Sequence, residues 1–304
     1  MTEKEYKKEL KNKLIEYRNT LNLSQNITFG IEIEYENIAT DTVTHLINYH
    51  DYYNYNIEGW CNKREPDINE YNSKFREVMN GEINSPMLID NNYTWTSLSD
   101  ICDMLYRREA IVTKKCGGHV NIGAHILGEN PKNWRNFLLL WILYEKEIYK
   151  FSSGEFIKIR PDLKSYFKKV SLNLDLKDIL NIEYIPYLCN LDFCIFDKKH
   201  DIYIEKQLNG KLEEGNRIEF RIPNGTIREE IWQNYINFFA KFVLACKKEL
   251  DVEYTLYKIK NKEHNAVELA NYVFDTQLDK NNFLIQTLKT NKIYKKELPT
   301  HIIY

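Results

Sequence analysis

The chain has 304 residues, 43% hydrophobic and 28% charged, enough to bury one large core or two of ordinary size as a soluble globular protein. Its 42 basic and 44 acidic residues give a formal charge of -2, which excludes a global field that would draw it to nucleic acid or an anionic membrane and makes any charge-based function local. The longest apolar run, Phe137 to Tyr144, is eight residues, far short of the ~20 that span a bilayer.

In chain order, the first twenty residues are charged throughout and lack the apolar segment of a secretory signal, which predicts a cytoplasmic protein. Leu10, Leu14, Tyr17 and Leu21 recur at helical spacing and predict an amphipathic N-terminal helix within residues 1–25. The stretch FGIEIEYE, Phe29 to Glu36, alternates with a period of two and predicts a strand with Glu32, Glu34 and Glu36 on one face and Ile31, Ile33 and Tyr35 on the other. A polar stretch from Asn37 to Asn80 follows, holding the GW pair at Gly59 and the run KREPD at Lys63 to Asp67. Connections of that length are lids or inserted elements.

In GEINSP, Glu82 and Asn84 share a face against Ile83. Ser97 with Asp100 has the form of a capping box, and Leu98, Ile101, Leu105 and Val112 supply the stripe of the helix after it. In GGHVNIG, His119 and Asn121 oppose Val120 and Ile122, and the glycine pair before them reads as a tight turn, a bulge or a close approach. A long helix is expected over Pro131 to Phe151, with proline in its first turn. Polar strands are expected at Phe193 to Phe196 and Asp201 to Glu205. RIEFRI then sets Arg217, Glu219 and Arg221 against Ile218, Phe220 and Ile222, and PNGT leads into a helix from Ile227 to about Leu250. The tail reads as charged and weakly helical. With no repeat and no Gly-, Ser- or Pro-rich linker, the reading is one catalytic domain over 26–250, with 251–304 a helical extension packed on it.

The six cysteines contain no CxxC pair, which argues against zinc or a disulfide framework and makes them reduced core residues. There is no GxxxxGK[ST] loop, no GxGxxG and no HExxH, so the common nucleotide-loop and zinc-protease routes are closed.

Four strands thus repeat one design, and any one of them alone is an ordinary solvated sheet face. Together they present Glu32, Glu34, Glu82, His119, Glu219 and Arg221, with almost no Lys, Thr or Ser among them. Carboxylate oxygens are hard ligands suited to Mg²⁺ or Mn²⁺, and the arginine fork grips phosphate oxygens at two points. The inventory therefore points to a divalent metal holding a nucleotide triphosphate.

The order of motifs, GIEIE, then a tryptophan followed by an acidic residue, GEINSP, CGGHVNIG, and IEFR with NGT, resembles the amidoligase family. These are carboxylate-amine ligases similar in fold to glutamine synthetase and glutamate-cysteine ligase. The resemblance covers roughly Ile27 to Leu250. It implies an α+β fold with a curved antiparallel sheet whose polar concave face holds metals, helices packing behind. It implies metal ligands at Glu32, Glu34, Glu82, His119 and Glu219, catalytic contacts at Glu34, Glu219 and Arg221, and nucleotide contacts at His119, Asn121, Arg217 and Arg221. Trp60 and Asp67 match the family's loop loosely, and Asn121 stands where many members have a second histidine. The implied activity joins a small-molecule or peptide carboxylate to an amine through an acyl phosphate, using ATP and Mg²⁺ or Mn²⁺. Arg160 is either a clamp for the substrate carboxylate or an exposed structural arginine. Two other readings are a guanidino-kinase-like phosphotransferase and a non-catalytic nucleotide-binding protein.

Overall fold

The alternation in Phe29–Glu36 makes the central strand, β1, of a sheet whose other members come from distant parts of the chain. In the computed structural model, which describes residues 1–65, 71–72, 77–113, 115–156, 171, 176–183, 202–204 and 216–289, the strands are β1, β2 (Cys61–Lys63), β3 (Tyr71–Asn72), β4 (Glu77–Val78), β5 (Asn80–Asn84), β6 (Gly118–Gly123), β7 (Ile202–Ile204) and β8 (Arg217–Phe220). Six of them form an antiparallel sheet in the order β2-β5-β1-β6-β8-β7, and β3 and β4 form a second, two-stranded sheet. The fold is α+β, as the sequence implies.

The helices are α1 (Glu3–Glu9), α2 (Thr40–Asn48), α3 (Asn92–Arg107), α4 (Pro131–Ser152), α5 (Leu176–Leu180), α6 (Glu229–Ala245), α7 (Val252–Asn261), α8 (Ala266–Val273) and α9 (Gln277–Leu288). None among the described residues is long and apolar enough to cross a membrane. Helices α4 and α6 cover the apolar face of the sheet: Phe220 of β8 stacks on Trp141 of α4 and Phe239 of α6, with ring centroids 5.6 and 4.2 Å apart. Burial of such rings supplies most of the drive that fixes which face turns outward.

The approach of α6 to the sheet explains the second glycine of the pair. A Cβ on Gly118 would lie 2.2 Å from Trp232 Cη2, so this glycine serves a close approach of helix and strand. Gly118→Ala is expected to lower stability by about 1–3 kcal/mol through overpacking. Chemical denaturation measures it, and an unchanged midpoint would show that Trp232 moves aside freely.

Several elements differ from the sequence reading. The N-terminal helix ends at Glu9, and the chain beyond Lys13 has no regular structure up to β1. There, side chains satisfy the backbone: Gln233 accepts from Arg18 N at 2.8 Å and donates to Arg18 O at 2.7 Å, and the Asp90 carboxylate accepts from Leu21 N and Leu23 N. Such partners replace the bonds a helix would make internally. Ser97 and Asp100 are no cap: α3 starts five residues before Ser97, at Asn92, with the Asn91 side chain accepting from Thr94 N at 2.8 Å, and it ends before Val112. The stretch from Asn37 to Asn80 contains α2 and β2. The tail forms three helices, each capped by a side chain, from Asp251, Asn265 and Thr276.

Cys102, Cys116 and Cys246 are buried as expected, but Cys61 is exposed on β2. Asp67, Arg160, Cys189, Cys194 and the strand expected at Phe193 to Phe196 lie outside the described residues.

Buried Asp279 ties the termini together. Its carboxylate accepts from Arg18 at 2.6 Å, Lys241 at 2.8 Å, Asn237 at 2.9 Å and Thr276 at 2.6 Å. Burial opposes its charge, yet these donors and cations hold its pKa below the usual carboxylate range.

Candidate active site

Antiparallel register places the polar residues in rows across the outer face of the sheet, since directly paired residues share a face. One row runs Lys63, Glu82, Glu34 over β2, β5 and β1, and the next runs Asn84, Glu32, His119 over β5, β1 and β6. A third runs Gly30, Asn121, Glu219, Tyr203, and a fourth pairs Gly123 with Arg217. Above these rows lies a cavity of about 460 Å³ lined, among the described residues, by five carboxylates, Glu32, Glu34, Glu65, Glu82 and Glu219, together with Lys63, His119, Asn121, Arg217 and Arg221. Every site residue read from the strands therefore reaches one cavity. Glu36 does not: it is fully buried at the end of β1, opposite Asn80, with Lys115 at 4.0 Å.

The carboxylates fall into two groups. Glu32, His119 and Glu219 each offer an atom within 4.8 Å of the others, and so do Glu34, Glu65 and Glu82. In the first group His119 Nδ1 lies 2.7 Å from Glu32 Oε2 and 3.3 Å from Glu219 Oε1, and Asn121 Nδ2 donates to Glu32 Oε1 at 3.1 Å. The Arg221 guanidinium bonds to Glu219 Oε1. Burial works against a charge on Glu32, but the hydrogen bond and charge of His119, the Asn121 amide and the charge of Lys63 outweigh it and hold its pKa at about 2. Burial likewise opposes protonation of His119. Its hydrogen bond to Glu32 acts the other way, Arg221 opposes it again, and the charges of Glu32 and Glu219 leave the pKa raised.

In the second group Glu34 Oε2 accepts from Gly117 N at 2.5 Å. Glu82 Oε1 accepts from Lys63 Nζ at 2.7 Å and from Asn84 Nδ2 at 2.9 Å. Burial disfavours the charge on Lys63, but its hydrogen bond to Glu82 and the charges of Glu82, Glu32 and Glu65 raise its pKa.

The donor set fits a hard divalent cation. Oxygen ligands about 2.1 Å from a Mg²⁺ ion lie no more than about 4.2 Å apart, and both groups are gathered on that scale. Asn121 Oδ1 is buried with no hydrogen-bond partner, beside Glu32 and in register with Glu219. An acceptor buried among carboxylates is satisfied only by a cation or an incoming donor.

Sequence reasoning missed Glu65, Lys63 and Asn84 as residues of the cavity. Glu65 is the acidic residue of the KREPD run that reaches the site among the described residues. Trp60 is a core residue, 4% exposed, with Nε1 3.3 Å from Ser97 Oγ.

A sheet with one apolar, helix-covered face and one carboxylate-lined face defines an α+β protein built around a cation-competent polar cavity. The family described as "Putative amidoligase enzyme" matches residues 25–243, most of the chain and every residue of that cavity, and the chain belongs to this family. It is also similar to a solved structure described as "Crystal structure of novel glutamine synthase homolog", at 9% identity and a TM-score of 0.42 over 87% of this chain and 66% of that one. The chain thus spans just under two thirds of that protein's length. No curated protein matches it.

Proposed function

We propose that the protein is an ATP- and divalent-metal-dependent carboxylate-amine ligase acting on small-molecule or peptide substrates. The observation that carries this reading is the gathering of five carboxylates, one imidazole and two arginines around one cavity in a chain of the amidoligase family. Glu32, His119 and Glu219 would hold one Mg²⁺ or Mn²⁺, and Glu34, Glu65 and Glu82 a second. When bound, these ions supply charge neutralisation for a triphosphate.

The chain's own groups then have defined tasks. A substrate carboxylate is a poor electrophile until its oxygen attacks the γ-phosphorus of ATP and ADP departs. Arg221, backed by Glu219, and Arg217, one row beyond Glu219 on its other side, present forks to the oxygens that carry charge during that transfer. The amine nitrogen next attacks the acyl carbon, phosphate leaves, and a carboxylate takes the proton lost by nitrogen. Glu34, held by the Gly117 amide, is our assignment for that base, and Asn121 Oδ1 offers the amine an acceptor.

The test pairs a panel of carboxylates with a panel of amines and reads ADP release, followed by the product mass. A product one water lighter than the summed substrates establishes ligation, whereas a phosphorylated amine would establish a guanidino-kinase-like transfer instead. A second expectation concerns the metals: five clustered carboxylates repel a bare triphosphate, so ATP should bind only with Mg²⁺ or Mn²⁺ present. Calorimetry in chelator measures this, and equal affinity with and without metal would remove the ions from the reading.

A further inference from the structure

The second carboxylate group already has a cation of its own. Lys63 is the last residue of β2, an edge strand of three residues. Its ammonium lies 2.7 Å from Glu82, a side chain only 4% exposed, while its own side chain is 58% exposed at the cavity mouth. The backbone beneath it is anchored from the opposite face. Asn62 Nδ2 donates to Thr40 O at 3.0 Å and Thr44 Oγ1 at 3.1 Å, and Asn62 Oδ1 accepts from Tyr35 at 3.1 Å. The strand is therefore held while a flexible four-carbon stem carries a compact, well-hydrated point charge over the site.

We propose, resting on the metal-nucleotide reading of this cavity, that Lys63 is a displaceable internal counter-ion. It pairs with Glu82 until a divalent cation takes that carboxylate, and its freed ammonium then pairs with the phosphates of the bound nucleotide. A dication on Glu82 would set a second positive charge beside the ammonium, and the two repel. A dication shared by Glu34, Glu65 and Glu82 neutralises more charge than an ammonium held mainly by one carboxylate, so the exchange runs toward the metal. Released at the mouth of an acidic cavity, Lys63 has one class of strong partner left, an anion brought in by the ligand. Arg221 stands in the same relation to Glu219 in the first group, but its own side chain is only 16% exposed and its carboxylate partner 2%. Lys63, at 58%, is the more exposed member of the two.

This assigns Lys63 two effects of opposite sign, which a purely structural role would not produce. In the absence of nucleotide, Lys63→Met should tighten Mn²⁺ binding at the weaker of two sites about three- to tenfold, because a competitor and a like charge are removed. With Mn²⁺ saturating, the same variant should bind a non-hydrolysable ATP analogue about three- to tenfold more weakly. Lys63→Arg keeps the charge and should resemble the wild type in both. Melting curves with and without Mn²⁺ add a readout independent of nucleotide: the shift on adding metal should be larger in Lys63→Met than in the wild type. Metal affinity unchanged or weakened in Lys63→Met, unaffected analogue affinity, or a Lys63→Arg variant that behaves like Lys63→Met would each overturn the proposal. If the wild-type protein binds no Mn²⁺ at all, the metal reading of the cavity falls first, and this inference falls with it.

Discussion

Arg221→Lys should cut turnover by about a hundred- to a thousand-fold, the usual loss when a donor aimed at transition-state charge is removed, while nucleotide affinity changes little. The structure sharpens this expectation, because Arg221 also makes an ion pair with Glu219 beside His119. That pair is what a merely structural arginine on a crowded acidic face would form. Lysine can still reach a neighbouring carboxylate, so a structural role predicts a variant that folds and turns over almost normally. A role in gripping the transferring phosphoryl group predicts a different split. Lysine keeps the charge but loses the planar two-point fork, so turnover falls while the melting temperature and metal affinity stay close to wild type. Turnover, read as ADP release with the substrate pair found by the panel, is measured alongside melting and analogue binding. Near-normal turnover in a destabilised variant would assign Arg221 to holding the sheet together.

The contacts also revise what neutralising a carboxylate should do to the fold. From sequence alone, a row of glutamates suggests that Glu→Gln changes relieve repulsion and leave the protein as stable or more so. Glu32, Glu82 and Glu219 instead carry His119, Lys63 and Arg221 as bonded partners. The charged form of Glu32 is favoured to the point of a pKa of about 2, so Glu32→Gln removes attraction rather than relieving strain.

The polar face of the sheet was readable because strand periodicity is local: each of β1, β5, β6 and β8 declares its two faces within a few residues. Their union into one cavity was not local: the shared inventory of ligand-type residues pointed to it, and the family resemblance supplied the sheet that joins them. Lys63 and Glu65 escaped because their orientation depends on β2 pairing with β5, a register set between segments some twenty residues apart. Glu36 shows the converse. It has the right parity, but it sits at the end of β1, where bonds to Ile111 close the strand into the core. The N-terminal helix was over-read for an energetic reason, since Asp90 and Gln233 offer the backbone alternatives that no periodicity reveals. The tail, read as a helical extension without internal boundaries, is divided by caps whose signal was present: Asn265 precedes Glu268 and Thr276 precedes Asp279 at capping spacing.

Asp279→Ala should lower stability by about 3 kcal/mol or more, near the range for removing one partner from a buried charge network. Arg18 and Lys241 are only 17% and 16% exposed in their side chains, so both cations lose their main partner where water reaches them poorly. Asn237 and Thr276 lose acceptors as well. Because these partners come from the N-terminal segment, α6 and the start of α9, the loss should spread to the whole fold and appear as a drop of roughly 5 to 10 °C in melting temperature. Asp279→Asn separates charge from shape. It keeps the volume and some hydrogen bonds, and at neutral pH it should fall between the alanine variant and the wild type. The pH dependence supplies the decisive sign. The folded-state pKa of Asp279 is depressed, so its contribution is fully present above the unfolded value of about 3.9 and disappears as the pH falls through the folded value. The stability gap between wild type and Asp279→Asn should therefore be constant from pH 7 to about pH 5 and narrow progressively below pH 4. Denaturant midpoints across that range measure it. A gap that stays constant into the acid region would mean that the carboxylate's charge contributes nothing and that Asp279 acts through shape and hydrogen bonding alone.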